Sequence, residues 1–225
     1  MKRLVGEEPA FRMRGVTKRW RGATAPVLDA VDLTLRPGET LGVQGRNGAG
    51  KTTLLRLAAG ILRPDAGSIE LSGIDPEQRR RSYQSGIGMV SAGNGALYAR
   101  LTVEDHLALW GRLAMLSRAS RKAASASVLR DFELDELTGR RVDRLSTGQR
   151  QRLRLALGFM HSPTLALLDE PEASLDAEAR ELLRAAVRGL TSAGSCVVVC
   201  SPAGGESIPL DRTLVVGQGR LEEAP

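Results

Sequence analysis

The feature that most constrains the fold is the nonapeptide GRNGAGKTT at residues 45–53. It fits the pattern G-x-x-x-x-G-K-[ST], follows the apolar stretch TLGVQG and precedes a leucine-rich segment with helical spacing. Glycines allow successive backbone N–H groups to curl around phosphate oxygens, and the N-terminus of the following helix adds its positive dipole end. The sequence therefore predicts an α/β fold with a phosphate-binding loop, the alternative being a chance match in a structural turn.

Two side chains of this loop carry chemistry of their own. Lys51 is expected to reach the β and γ phosphates of a nucleotide, and the hydroxyl of Thr52 is expected to ligate Mg²⁺. The predicted phosphate-binding residues are Gly45, Arg46, Asn47, Gly48, Ala49, Gly50, Lys51, Thr52 and Thr53.

An acidic pair follows the apolar run LALLDEP at residues 165–171. The carboxyl ends of strands in an open α/β sheet are where ligands bind, so Asp169 is predicted to hold Mg²⁺, directly or through water. Glu170 is predicted to orient and polarise an attacking water molecule. The alternative is that this tripeptide only ends a strand and solvates a turn.

The order of apolar patterns predicts an α/β core with a helical insert. The 225 residues are 42% hydrophobic and 26% charged, as in soluble globular proteins, and contain no apolar run that could span a bilayer and no secretory signal. The predicted strands are Phe11–Val16, Val27–Arg36, Thr40–Gly45, Ser68–Ser72, Gly86–Val90, Leu165–Leu168, Cys196–Cys200 and Thr213–Val216. The predicted helices are Gly50–Gly60, one from about Thr102, Arg121–Phe132, Thr147–Met160 and Leu175–Leu190.

The net charge, the cysteines and the histidines indicate less about the fold and the function. The net charge of +6 comes from arginines scattered along the chain, which predicts a solvated surface and no nucleic-acid binding. Cys196 and Cys200 are predicted to be buried thiols that do not bond each other. The two histidines, His106 and His161, are expected on a helix surface or at a helix boundary.

A third motif makes a family resemblance specific. RLSTGQ lies upstream of the acidic pair, and the tetrapeptide ASLD follows that pair. With GRNGAGKTT, RLSTGQ and LALLDEP in this order, the chain resembles the ATP-binding subunit of an ABC transporter from about Phe11 to Glu222. The resemblance implies a P-loop NTPase (RecA-like) core with an antiparallel β subdomain and an α-helical insert. It implies one ABC ATPase domain over residues 1–225, with core and β subdomain at about 1–92 and 145–225 and the helical subdomain at about 93–144.

The resemblance also implies which residues form a second anion site and which residue contacts the adenine base. Ser146 suits a helix N-cap, and its hydroxyl and the N–H of Gly148 are expected to meet the γ-phosphate held by a second subunit, beside Gln149. Asp176 would lie at the same junction. Trp20 falls where relatives carry an aromatic residue that stacks on adenine, although a half-exposed tryptophan on a strand edge is the alternative.

Two positions of the family pattern are not matched. Relatives carry a histidine after the strand that ends at Cys200, where this chain has Ser201 and Pro202. Relatives also carry a glutamine at a position that Ala92 or Gly93 occupies here, with Asn94 the nearest amide. Because Glu170 remains in place, ATP hydrolysis is expected. Because these two positions are not matched, its rate is expected to be slow.

The resemblance implies an ATPase that uses ATP and Mg²⁺ and energises transport through a separate membrane-spanning subunit. The segment LYARLTVEDHLALWGRL is similar to that of exporters, which favours export. The chain would pair with a second ABC ATPase subunit and lie in the cytoplasm on the inner face of the membrane. One alternative is a regulatory half that binds ATP with little hydrolysis. Another is a soluble ABC protein of DNA repair or translation, disfavoured by the single cassette.

Overall fold

A six-stranded sheet forms the centre of the molecule, and a three-stranded antiparallel sheet shares its core. The computed structural model describes residues 8–91, 97–173, 175–202 and 207–224. The strands are β1 (Phe11–Lys18), β2 (Leu28–Leu35), β3 (Thr40–Gln44), β4 (Ala66–Leu71), β5 (Ile87–Val90), β6 (Leu165–Asp169), β7 (Cys196–Ser201), β8 (Arg212–Gly217) and β9 (Arg220–Glu223). The helices are α1 (Lys51–Ala58), α2 (Arg80–Ser85), α3 (Val103–Leu113), α4 (Arg118–Asp131), α5 (Thr147–Phe159) and α6 (Ala177–Ser192).

The large sheet has the order β5-β6-β7-β3-β8-β9, and the small sheet has the order β2-β1-β4. The first five strands of the large sheet pair in parallel, and β9 closes it by pairing antiparallel with β8. Strands β6 and β7 are buried almost throughout, as expected of parallel strands covered on both faces. The α/β fold with an antiparallel β sheet predicted from the sequence is thereby confirmed.

Alternate residues of the central strands pack into two different hydrophobic clusters. Leu165 and Leu167 of β6 join a cluster that contains α1 and the small sheet. Ala166 and Leu168 join the other cluster, which contains residues of α3, α4, α5 and α6. The side-chain period of two in a strand therefore divides the core into one layer on each face of the sheet. The same period places both cysteines in the first layer, where they are buried and form no disulfide with each other, as predicted.

Caps decide where the helices begin. Helix α6 begins at Ala177, two residues after the predicted start, because the Asp176 carboxylate accepts the N–H of Ala179 at 2.8 Å. Helix α4 begins at Arg118, three residues earlier than predicted, because the Ser117 hydroxyl accepts the N–H of Ser120. Helix α2 and strand β9 were not predicted. Among the described residues, the helices lack the length and apolar character required to cross a bilayer.

His106 is buried within α3, so its predicted place on a helix surface or boundary is wrong. It is 0% exposed, its Nδ1–H donates to the carbonyl of Thr102 at 2.9 Å, and its Nε2 accepts the backbone N–H of Tyr98 at 2.9 Å. The neutral ring thus ties the segment before α3 to the first turn of that helix. Burial lowers the pKa of His106 from its ordinary value of 6.5, and burial also lowers the pKa of His161.

This burial predicts a loss of stability in mild acid. Burial disfavours the charged form of both imidazoles in the folded chain, so the unfolded chain takes up these protons more readily as the pH falls below 6.5. The free energy of unfolding should therefore fall below pH 6.5, by about 1 kcal/mol per pH unit for each histidine until its folded pKa is reached. Urea denaturation at pH 7.5 and pH 5.5 measures the effect. His106→Gln should reduce the pH dependence, and an equal slope in that variant would contradict the assignment.

Candidate nucleotide site

Three strand ends meet at one edge of the large sheet. In the order β6-β7-β3, the end of β7 lies between the strand that leads into the glycine loop and the strand that ends in the acidic pair. Ser201 pairs with Gln44 of β3, and Cys200 pairs with Asp169 of β6. Residues more than a hundred positions apart in the sequence are thereby brought together at the carboxyl edge, where α/β proteins bind ligands.

The glycine loop has a backbone that side chains would disturb. Gly50 has φ 115° and precedes α1, and a Cβ at this position would lie 3.1 Å from the carbonyl oxygen of Val27. A Cβ on Gly45 would lie 2.8 Å from the carbonyl oxygen of Val216. The loop is therefore closely held by the ends of β8 and of the segment that leads into β2, and α1 starts directly at Lys51.

Lys51 lies inside the loop rather than in solvent. Its side chain is buried, and its Nζ donates to the carbonyl of Gly45 at 2.6 Å and to that of Arg46 at 3.3 Å. The ammonium group is thus held over the curl of the backbone, within reach of a phosphate that binds the N–H groups of the loop. The predicted role of Lys51 fits this placement.

Thr52 and Asp169 form the contact that joins the two motifs. The Thr52 hydroxyl donates to Oδ2 of Asp169 at 2.9 Å, and Asp169 is buried. A hydroxyl and a carboxylate are the oxygen donors that suit Mg²⁺, which keeps several waters and takes further oxygens from the phosphates of its nucleotide. Among the described residues, no group of three or more acidic, histidine or cysteine side chains is arranged so that it could hold a metal ion. The pair therefore fits a metal that is bound together with a nucleotide.

Glu170 occupies a strained backbone position just beyond β6. Its φ is +50°, in the left-handed region, which costs a non-glycine residue on the order of 1–3 kcal/mol. The surroundings hold it there because the N–H of Glu170 donates to the carbonyl of Cys200 at 2.8 Å, which continues the ladder between β6 and β7. The half-buried side chain begins at the same edge as the Thr52–Asp169 pair.

Trp20 lies in a loop that is attached to the phosphate loop. It is 44% exposed, and the loop is closed at its base where the N–H of Val27 donates to the carbonyl of Lys18 at 2.7 Å. Val27 in turn borders Gly50, with its carbonyl 3.1 Å from a Cβ placed there. An exposed indole on this loop is available to stack on a base, and the same exposure is compatible with a tryptophan at a strand edge.

The N-terminus of α5 has the predicted cap. Ser146 Oγ accepts the N–H of Gln149 at 3.2 Å, and Gln149 Oε1 accepts the N–H of Ser146 at 3.0 Å, which is a capping box. Ser146 is exposed and Gly148 half-buried, so this helix end faces outward. Among the described residues, no hydrogen bond joins this helix end to residues 45–53. Asp176 caps α6.

The structure describes one of the two places where the chain departs from the family pattern. Ser201 ends β7, and its Oγ is buried with no hydrogen-bond partner in the described part of the chain. Pro202 follows and has no N–H to donate. Ala92, Gly93 and Asn94, the candidates for the glutamine position, lie outside the described residues.

Sequence reasoning missed the contacts that hold the turn after Glu170. Gln151 of α5 is buried, and its Nε2 donates to the carbonyl of Pro171 at 3.0 Å. The carboxylate of Glu172 accepts hydrogen bonds from Ser207. Neither contact has a spacing that a sequence pattern could reveal, because the partners are 20 and 35 residues apart on different elements.

The joined motifs predict that Thr52 and Asp169 together set the requirement for Mg²⁺. Thr52→Ala and Asp169→Asn should each raise the Mg²⁺ concentration needed for half-maximal nucleotide binding by about tenfold or more, since each removes an oxygen that suits the ion. Titration of a fluorescent ATP analogue at varied Mg²⁺ measures the effect. Arg56→Lys, at an exposed position of the same helix, serves as the control, and an unchanged Mg²⁺ midpoint in both variants would refute the assignment.

The comparisons with known proteins agree with this geometry. The family model described as "ABC transporter" matches residues 28–173. A solved structure titled "Structure of ATP binding subunit of ABC transporter" superposes with a TM-score of 0.85 at 26% identity, over 94% of this chain and 88% of that one. The fold therefore has a close structural parallel.

Curated relatives are similar over nearly the whole chain. The spermidine/putrescine import ATP-binding protein PotA of Pseudomonas aeruginosa is 35% identical over 96% of this chain and 59% of its own length. The Nod factor export ATP-binding protein I of Paraburkholderia xenovorans is 34% identical over 97% of this chain and 72% of its own length. This chain thus spans less than two thirds of the Pseudomonas protein, and the two relatives are named for opposite transport directions.

Proposed function

This chain belongs to the ABC transporter family, and on that premise we propose that it binds ATP with Mg²⁺ and hydrolyses it to energise a separate membrane-spanning subunit. The observation that carries the proposal is the hydrogen bond between Thr52 and Asp169. This bond joins the helix after the phosphate loop to the end of the acidic strand, at the edge of the sheet. An ATPase needs both motifs there, one to hold the phosphates and the other to direct water.

The chemistry follows from the positions of the side chains. Lys51, held over the loop by the carbonyls of Gly45 and Arg46, exchanges these partners for β- and γ-phosphate oxygens and offsets their negative charge. Mg²⁺, when bound, neutralises charge that develops on the phosphates. Glu170, fixed by its N–H to Cys200, accepts a hydrogen bond from the attacking water and directs its lone pair toward the γ-phosphorus. The reaction yields ADP and inorganic phosphate.

The end of β7 sets the rate in this proposal. Ser201 and Pro202 stand between the phosphate loop and the acidic strand, at the position where the resemblance to ABC ATP-binding subunits implies a histidine. A serine hydroxyl is shorter than an imidazole, and proline has no titratable group and no N–H. Loss of one positioned contact in such a site lowers the rate by on the order of a hundredfold. Hydrolysis by this chain is therefore slow compared with chains that have the histidine.

The exposed N-terminus of α5 supports a dimer with ATP at the interface. Beside the cap formed by Ser146 and Gln149, the N–H groups of Thr147 and Gly148 and the positive helix end are directed outward in this proposal. In this proposal they receive the γ-phosphate bound to the loop of a second subunit, with Gly148 allowing close approach. Asp176 caps α6 shortly after the turn that carries Glu170, and in this proposal it lies near the same junction.

The direction of transport and the location of the chain in the cell stay predictions. The exporter-like segment favours export, but relatives named for import and for export match this chain equally well. The cargo would be chosen by the membrane subunit, and the chain would lie in the cytoplasm against the inner face of the membrane. The alternative of a regulatory half with little hydrolysis gains no support from the relatives.

Steady-state ATP hydrolysis with Mg²⁺ tests the main proposal. Lys51→Ala and Glu170→Gln should each lower turnover by a hundredfold or more, because one removes phosphate binding and the other the water-directing carboxylate. Pro202→His should raise turnover about tenfold or more by restoring the contact that relatives have. Lys122→Ala, an exposed lysine of α4, is the control for loss of a positive charge.

The outcomes separate the parts of this proposal. Turnover that survives both Lys51→Ala and Glu170→Gln would refute ATP hydrolysis at this site. A parent that binds ATP through Lys51 without turning it over would refute hydrolysis and favour the regulatory half. Unchanged turnover in Pro202→His would refute the role given to the end of β7.

The dimer has a test that leaves helix capping intact. Glu170→Gln should form a dimer in sedimentation experiments with MgATP, since bound ATP would persist. Adding Ser146→Asp keeps an N-cap but places a negative charge at the proposed γ-phosphate contact, so dimerisation should fall at least tenfold. Ser117→Asp, at the N-cap of α4, is the matched control and should dimerise normally. Equal dimerisation of the two aspartate variants would exclude this helix end from the interface.

A further inference from the structure

The turn that carries Glu170 is held at three separate points. Its first attachment is the N–H of Glu170, which donates to the carbonyl of Cys200 in β7 at 2.8 Å. Its second is the carbonyl of Pro171, which accepts from Gln151 of α5 at 3.0 Å. The turn is therefore tied to the sheet and also to the helix whose N-terminus carries Ser146.

The third attachment is the carboxylate of Glu172. Oε1 accepts the N–H of Ser207 at 3.0 Å and the Ser207 hydroxyl at 2.6 Å, and Oε2 lies 3.3 Å from the same N–H. Within the part of the chain that the structure describes, no lysine or arginine forms an ion pair with this carboxylate. Neutral donors on one residue hold it, so its direction is fixed by hydrogen-bond geometry rather than by charge alone.

Ser207 is a firm point for this contact. Ile208, the next residue, is buried in the same hydrophobic cluster as Leu175, which closes the turn after Glu170. The chain then returns to the large sheet, where the N–H of Asp211 donates to the carbonyl of Thr40 and the Asp211 carboxylate accepts the N–H of Thr40. Glu172 is thus bonded to a segment that is itself rooted in the core.

Backbone hydrogen bonds inside the turn couple the position of Glu172 to that of Glu170. The N–H of Ala173 donates to the carbonyl of Glu170 at 3.2 Å, and the N–H of Leu175 donates to the carbonyl of Glu172 at 3.1 Å. Because Glu170 has a left-handed φ of 50°, its conformation depends on such surroundings. Release of the Glu172 side chain would let this short turn relax.

We propose that Glu172 is a positioning residue for hydrolysis, which fixes the direction of the Glu170 carboxylate by holding Ser207. This inference rests on the proposed function, since it concerns the rate at which Glu170 directs water. It assigns Glu172 no contact with the nucleotide. Its loss should therefore lower kcat and leave the binding of ATP nearly unchanged, because Lys51 is held by its own loop.

The test compares four variants of the full chain in steady-state hydrolysis. Glu172→Ala should lower kcat about tenfold, since displacement of a catalytic group by a fraction of an ångström is costly, while KM for ATP changes less than twofold. Glu172→Gln keeps one oxygen acceptor for Ser207 and should recover most of the activity. Ser207→Ala, which removes the hydroxyl donor alone, should lower kcat about threefold. The double variant with Glu172→Ala and Ser207→Ala should have the same kcat as Glu172→Ala alone.

Several results would overturn the proposal. These are an unchanged kcat in Glu172→Ala, a rise of its KM for ATP as large as the fall of its kcat, or full additivity of the effects of Glu172→Ala and Ser207→Ala on kcat. Glu77→Ala removes an exposed glutamate elsewhere and should match the parent. If Glu172→Ala does not fold, the decision falls to Glu172→Gln and Ser207→Ala, and wild-type kcat in Ser207→Ala then refutes the proposal. Turnover that persists in Lys51→Ala and Glu170→Gln would instead refute the proposed function, which keeps the two failures distinct.

Discussion

The hydrogen bond from Thr52 to Asp169 joins residues 117 positions apart, and the site depends on it. It can form only because the large sheet places β3 and β6 on either side of β7, with all three strands parallel. Parallel strands end at the same edge, so a loop after one strand and a carboxylate after another converge there without any local sequence relation. The burial of β6 and β7 on both faces keeps this register, since a slip of one residue would exchange the two core layers.

The first loop of the small sheet lies beside the phosphate loop. Asp65 accepts hydrogen bonds from Lys18 Nζ at 2.8 Å and from the N–H of Arg19 at 2.7 Å, and these contacts lower the pKa of its carboxyl. They hold the end of β1 just before Trp20, while Val27 closes the loop against Gly50. The loop that carries Trp20 and the phosphate loop thus follow two strands, β1 and β3, that share one hydrophobic core.

Local chemistry made part of this molecule predictable from its sequence. The glycine loop, the capped start of α5 and the buried strand before Asp169 each depend on residues within a few positions of one another. Burial of His106 could not be read in this way, because it depends on the backbone of Tyr98 folding back over the first turn of α3. The contact between Glu172 and Ser207 was equally hidden, since it arises only after β6 and β7 become neighbours.

The groups that hold Glu170 differ in kind from a histidine. Its turn is attached by a backbone N–H at Cys200, by the amide of Gln151 and, through Glu172, by the N–H and hydroxyl of Ser207. None of these donors titrates near neutral pH, whereas an imidazole does. At the end of β7, Ser201 and Pro202 add no titrating group either. The geometry of the acidic turn is therefore set by hydrogen-bond donors that do not titrate near neutral pH.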